Sequence, residues 1–164
     1  MRIMGIDPGL LITGYGIVDT ACDGIKLIEA GCIRTNMKHK LEIRLTTIFD
    51  ELSEIIAEFQ PETVSVENLY SHYAHPKTSI IMAHARGIIF LAAQQSNIPI
   101  VEYSATQVKK SLTGYGRASK LQIQRMVQNS LRLTIPPNPV DVTDALASAL
   151  CHTNVLSHKL GALR

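Results

Sequence analysis

The stretch RIMGIDPGLLITGYGIVDT, residues 2–20, decides the fold. RIMGID is a short apolar run that ends in a carboxylate, Asp7. Pro8-Gly9 turns the chain, and TGYGIVDT (13–20) reads as a second strand. IKLIEAGCIRT (25–35) reads as a third, so the chain opens as an antiparallel meander. HKLEIRLTTIFDELSEIIAEF (39–59) then carries Leu41, Leu45, Ile48, Leu52, Ile55 and Phe59 at helical spacing, with acids on the outer face. TVSVEN (63–68) is short and β-branched, which suits a buried strand. Residues 78–97 form a helix that is apolar nearly all round, rich in Ala and Gly; such a helix is buried or is half of an interface. IPIVEY (98–103) is a fifth strand. ATQVKKSL (105–112) and ASKLQIQRMVQNSL (118–131) are two helices joined by TGYG, and PPNP (136–139) breaks the chain before a last helix. The order βββαβαβααα over residues 1–164 predicts one α/β domain.

Two carboxylates end apolar strands: Asp7 in GIDPG and Glu67 in SVEN. A carboxylate on a buried strand is costly unless something compensates it. Each also has an ordinary reading, Asp7 as a turn residue before Pro-Gly and Glu67 as a strand exit in water. Two more, Asp141 and Asp144, open the last helix in NPVDVTDALASALCH (138–152). They are three residues apart and share a helix face. Helix capping, with Asp141 at the N-cap and Asp144 at N3, explains them as well as chemistry does. If the sheet sets strands one and four side by side, all four acids converge. Carboxylates about 5 Å apart repel by roughly 3 kcal/mol per pair at an effective dielectric near 20. Such a cluster calls for a cation, and hard oxygen donors select Mg²⁺ or Mn²⁺. Two such ions activate water and stabilise the leaving oxygen in phosphodiester hydrolysis.

The chain has 164 residues, enough for one core. Its net charge of +2 hides an uneven distribution. Residues 1–67 hold 11 acids and 6 bases, whereas 68–140 hold 8 bases (Lys77, Arg86, Lys109, Lys110, Arg117, Lys120, Arg125, Arg132) and one acid, Glu102. The second block predicts an electropositive surface that could meet phosphates. Cys22, Cys32 and Cys151 show neither metal spacing nor a disulfide framework, which suits a reducing cytoplasm. The greasiest stretch, SIIMAHARGIIFLAAQ, is broken by His84 and Arg86, so a membrane span is excluded. His72 and His75 are read as loop residues, because a soft-ligand site needs more partners. TGYGR could cradle a phosphate before a helix N-terminus or simply connect two helices.

In this order, GIDPGLLITGYG (5–16), the strand-end Glu of VENLY (66–70), the ARG at 85–87, EYSATQVKKSLTGYGRASK (102–120) and NPVDVTDALA (138–147) resemble the RuvC-type Holliday-junction resolvases. The resemblance covers nearly the whole chain. It implies a ribonuclease H-like fold, a five-stranded mixed sheet flanked by helices. It implies a homodimer that binds a four-way DNA junction and nicks two strands of like polarity, leaving 5′-phosphate and 3′-hydroxyl ends. It implies two Mg²⁺ ions per subunit, with Mn²⁺ able to substitute, held by Asp7, Glu67, Asp141 and Asp144. Lys109 and Lys120 match the lysines near the family's active site. Lys110 and Arg117 are further candidate DNA contacts. Tyr70 matches an aromatic, usually Phe, three residues after the catalytic Glu, placed to stack on a base near the crossover. The branch-migration proteins RuvA and RuvB are the family's partners. The 78–97 helix is the candidate dimer interface. A nucleotide-binding protein of the actin and sugar-kinase type is the first rival. It needs a second Asp-x-Gly loop, and Asp7-Pro8-Gly9 is the only one here. A related nuclease acting on RNA is the second, and a junction binder without catalysis is the third.

Overall fold

The computed structural model describes residues 1–21, 24–68 and 76–161. Its elements follow the expected order: β1 (Arg2–Asp7), β2 (Ile12–Ala21), β3 (Gly24–Arg34), α1 (Leu41–Phe59), β4 (Thr63–Glu67), α2 (Pro76–Gln95), β5 (Ile100–Tyr103), α3 (Ala105–Thr113), α4 (Lys120–Ser130) and α5 (Val140–Gly161). The five strands form one sheet in the order β3-β2-β1-β4-β5. β1–β2 and β2–β3 are antiparallel, as the meander requires, while β1–β4 and β4–β5 are parallel. The parallel register sets Ile6 beside Val66, so β1 and β4 release Asp7 and Glu67 at the same edge of the sheet.

Alternation along the strands gives the sheet two faces. Met4, Ile6, Val64 and Val66 point to one, where they pack on Ile48, Leu52 and Ile56 of α1 and Ala85 and Ile89 of α2. Ile3 and Val18 point to the other, where α3, α4 and α5 supply Val108, Ile123, Val127, Leu146 and Leu150. The α1 helix buries Ile48, Leu52 and Ile56; Ile55 and Phe59 are only partly covered. The α2 helix is not apolar all round in effect. Ala85, Ile89, Ala92 and Ala93 are buried, while Ile80, Ile81 and Leu91 are exposed.

The α5 face is unusually flat where the helix crosses it. Gly5 pairs with Gly16 and Asp7 pairs with Gly14 across β1 and β2. A Cβ on Gly5 would strike the Ala145 carbonyl, one on Gly16 the Leu146 side chain, and one on Gly14 the Asp141 carbonyl. Glycine in a strand often marks such a close backbone approach. The polypeptide of α5 therefore rests directly on β1, which ends at Asp7, and on its neighbour β2.

Local signals end the helices. Ser104 with Gln107 and Ser119 with Gln122 form capping boxes at α3 and α4. Gly114 closes α3 in the left-handed region, φ 76°, its N–H donating to the Lys110 carbonyl, and the Tyr115 N–H donates to the Thr113 hydroxyl. TGYG is thus a hydrogen-bonded connection between helices. Among the described residues Cys32 and Cys151 are free, and no helix is long and apolar enough to cross a membrane.

Candidate active site

The site is built from two strand ends and one helix start. Asp7 and Glu67 are neighbours at the carboxyl ends of β1 and β4. Side chains of Ser65 and Glu67, two apart on β4, share the α5 face. Ser65 proves that orientation: its hydroxyl shares a 2.8 Å hydrogen bond with the Ser148 hydroxyl and donates to the Ser148 carbonyl at 3.0 Å. Farther along α5, the Tyr103 hydroxyl and His152 Nδ1 share a hydrogen bond of 2.7 Å. Tyr103 is the register partner of Glu67 on β5. These polar bridges, the first buried and the second part-buried, tie α5 to β4 and β5, and the glycine contacts tie it to β1 and β2. Together they fix the turn of α5 that carries Asp141 and Asp144.

The four carboxylates and two lysines act on one another electrostatically. Burial, and then the charges of Asp144, Asp141 and Glu67, push the Asp7 carboxyl up from the usual 3.8 to about 7, against the pull of Lys120. Burial and Asp144 also push Glu67 up, while Lys109 and Lys120 draw it down. Burial raises Asp144; the charge and hydrogen bond of Lys120 oppose it, Asp141 adds to the rise, and Lys109 lowers it. The Lys120 ammonium lies 3.4 Å from Asp144 and is three-quarters exposed, with 76% of its side chain accessible. The capping reading of the two aspartates does not hold. Among the described residues neither accepts a backbone N–H, and the partner of Asp144 is Lys120.

The four acids meet as a field more than as a cage. Among the described residues no three His, Cys, Asp or Glu side chains stand close enough to enclose an ion. The donor set nevertheless suits a hard divalent cation. It consists of carboxylate oxygens only, and burial first, then its acidic neighbours, push its most buried member up to about 7, a penalty that a dication would offset.

The structure brings Lys109 and Lys120 to the carboxylates, as their effects on Glu67 and Asp144 show. Lys110 is not brought there. It lines a cavity with Tyr103, Gln107, Ser111, Cys151, Val155 and His158, toward the other end of α5. Arg117 is exposed in the turn between α3 and α4. Tyr70, His72 and His75 lie outside the described residues, and His84 is exposed on α2. Sequence reasoning passed over the Ser65–Ser148 and Tyr103–His152 bridges; His152 and Cys151 are both buried. It also passed over the role of Gly14 and Gly16. Their alternation in TGYG, on one strand face, was the available signal.

Comparison with known proteins agrees with this geometry. A family model described as "Crossover junction endodeoxyribonuclease RuvC" matches residues 3–152. A protein of that name from Ruminiclostridium cellulolyticum is 45% identical over 163 residues, covering 99% of this chain and 96% of the relative. Another from Caldicellulosiruptor saccharolyticus is 46% identical over 153 residues, covering 93% and 92%. The solved Thermus thermophilus RuvC superposes with a TM-score of 0.90 at 30% identity over 97% of both chains. The same protein in complex with a Holliday junction substrate gives 0.91 at 29%, covering 97% of this chain and 96% of that one. The fold is ribonuclease H-like, a five-stranded mixed sheet flanked by helices.

Proposed function

The chain belongs to the RuvC family of crossover junction endodeoxyribonucleases, and from that membership we propose that it resolves four-way (Holliday) DNA junctions in recombination and repair. The observation that carries this reading is the joint placement of Asp7, Glu67, Asp141 and Asp144 beside Lys109 and Lys120. The reaction is hydrolysis of one phosphodiester in each of two like-polarity strands, leaving 5′-phosphate and 3′-hydroxyl ends. Residues 1–164 act as a single nuclease domain. A homodimer presents two such sites to the two-fold symmetry of a junction, with α2 and its exposed Ile80, Ile81 and Leu91 as the contact. RuvA and RuvB are the partners proposed by family membership, and the cytoplasm is the proposed location.

Asp7, Glu67, Asp141 and Asp144 would hold the cation, two Mg²⁺ per subunit with Mn²⁺ as substitute. A bound dication supplies charge stabilisation to the phosphoryl oxygens and a more acidic water. The chain's own groups do the rest. The carboxylates orient the scissile phosphate's surroundings from the sheet edge. Lys109 and Lys120 offset charge on the phosphate. Lys120 is suited to this because its ammonium is exposed and held by Asp144 alone among the described residues. Tyr70, Lys110 and Arg117 are proposed DNA contacts outside this centre.

The test uses a synthetic four-way junction, a linear duplex of equal length and an equally long RNA. With Mg²⁺ the junction is expected to yield paired nicks, with EDTA none, and the other substrates none. Junction binding without cleavage in either Mg²⁺ or Mn²⁺ would leave an architectural binder, and cleavage of the RNA would leave the ribonuclease reading.

A further inference from the structure

Arg86 stands on the opposite side of the sheet from the carboxylates, on α2, yet it touches the catalytic strand. One guanidinium N–H donates to the Glu67 carbonyl at 2.5 Å. Another nitrogen forms an ion pair with the Glu102 carboxylate of β5. The guanidinium carbon lies 4.7 Å from the centroid of the Phe90 ring, one turn along the same helix. Only 12% of the Arg86 side chain is accessible. A guanidinium is seldom buried this far without a purpose that packing alone does not supply. A planar fork can hold a carbonyl and a carboxylate at once, which an ammonium cannot do with the same geometry.

Register explains what this clamp controls. Val66 and Glu102 are partners, and Glu67 and Tyr103 are the last partners of the β4–β5 ladder. The Asn68 N–H still donates to the Tyr103 carbonyl at 2.8 Å, so strand pairing ends one residue past the one whose side chain enters the site. The end of β4 is held from the α5 face by Ser65 and Ser148, two residues earlier. The Asn68 bond holds the chain just after Glu67, and the Glu67 carbonyl itself is held from α2. We propose that Arg86 is a positioning residue that fixes the end of β4, and through it the Glu67 carboxylate, for binding the divalent cation. The proposal rests on Glu67 being one of the carboxylates that hold that cation. Glu102 and Phe90 keep the guanidinium aimed at the carbonyl.

The experiment measures Mn²⁺ binding to the full chain without DNA, by loss of the free-ion electron paramagnetic resonance signal. Junction nicking and thermal melting are followed in parallel. Arg86→Gln is expected to weaken Mn²⁺ binding about 10–100-fold, the usual effect of removing a group that orients a metal ligand. Nicking should recover in part as Mn²⁺ is raised. Glu102→Gln should weaken binding less, because the contact with the Glu67 carbonyl remains, and Arg86→Lys should lie between. A folded Arg86→Gln protein that binds Mn²⁺ as tightly as the unaltered chain overturns the proposal. If Arg86→Gln is unfolded at the assay temperature, Arg86→Lys and Glu102→Gln decide: unaltered binding in both overturns it. Glu67→Gln is the reference. If it binds Mn²⁺ and nicks normally, the assignment of Glu67 fails and the proposal falls with it. If Glu67→Gln is impaired and folded Arg86→Gln is not, only the role of Arg86 falls.

Discussion

On the α1/α2 face of the sheet, side-chain bulk makes the contact: Met4, Ile6, Val64 and Val66 fill the space against Ile48, Leu52 and Ile89. On the α5 face the backbones themselves approach, over Gly5, Gly14 and Gly16, and hydroxyl and imidazole groups bridge the layers. The difference separates two demands. Apolar packing is strong but undirected, roughly proportional to the area it buries. Hydrogen bonds and steric contact with a carbonyl depend on direction and distance. The proposed chemistry lies on the face where direction is fixed, which matters because a misplacement of about 1 Å can cost about 10²-fold in rate.

The sharpest break of that comparison is Asp7→Asn. Nicking should fall roughly 10³-fold, the several kcal/mol expected when charge stabilisation is lost, while a gel-shift assay in EDTA shows junction binding retained. The same change should stabilise the cation-free protein. The Asp7 carboxyl rises from 3.8 to about 7 on folding, so between those values the fold holds a proton that the unfolded chain releases. The site's contribution is thus greatest below pH 3.8 and declines as pH climbs to about 7, by up to about 4 kcal/mol at 1.36 kcal/mol per unit. Melting chelator-treated protein at pH 5.5 and pH 8 checks this. The Asp7→Asn protein should show less of the decline, and Mg²⁺ should raise the midpoint of the unaltered chain only.

Gly14→Ala should come next. Its Cβ pushes on the Asp141 carbonyl and meets the Asp141 Cβ, and so shifts the start of α5 with one of the four carboxylates. Nicking is expected to drop about 10²-fold, and stability by about 1–3 kcal/mol, read from single-turnover cleavage and urea unfolding. Leu52→Ala works on the opposite face and should affect cleavage least. It should cost about 2–5 kcal/mol of stability in urea unfolding, yet leave the nicking rate per folded molecule within about twofold below the melting range. A large rate loss there would mean that the two faces are not separable.

Much of this molecule is legible along the chain. The ten elements and their order follow from periodicity and punctuation, since IFDELSEII repeats at helical spacing and Pro-Gly turns the first strand. Asp7 and Glu67 stood out because a carboxylate at the end of an apolar strand is unusual. The aspartate pair was less legible. Capping and chemistry write the same two residues at the same helix start, and only the position of Lys120 and the absence of a backbone partner among the described residues separate them. The extent of α2 was visible, but its division into a buried Ala85–Ile89 side and an exposed Ile80–Leu91 side was not, because its apolar residues run nearly all round.

The sequence by itself determined the local elements, the four candidate carboxylates and the basic segment, because helical and strand periods, turn chemistry and charge are properties of neighbouring residues. Tertiary structure alone decided that β1 lies beside β4, that α5 rests on three glycines, that Ser65 meets Ser148 across 83 positions, and that Arg86 reaches the Glu67 carbonyl from behind the sheet. Those contacts join residues far apart in the chain, and pairing and packing between layers, which no local pattern encodes, choose them.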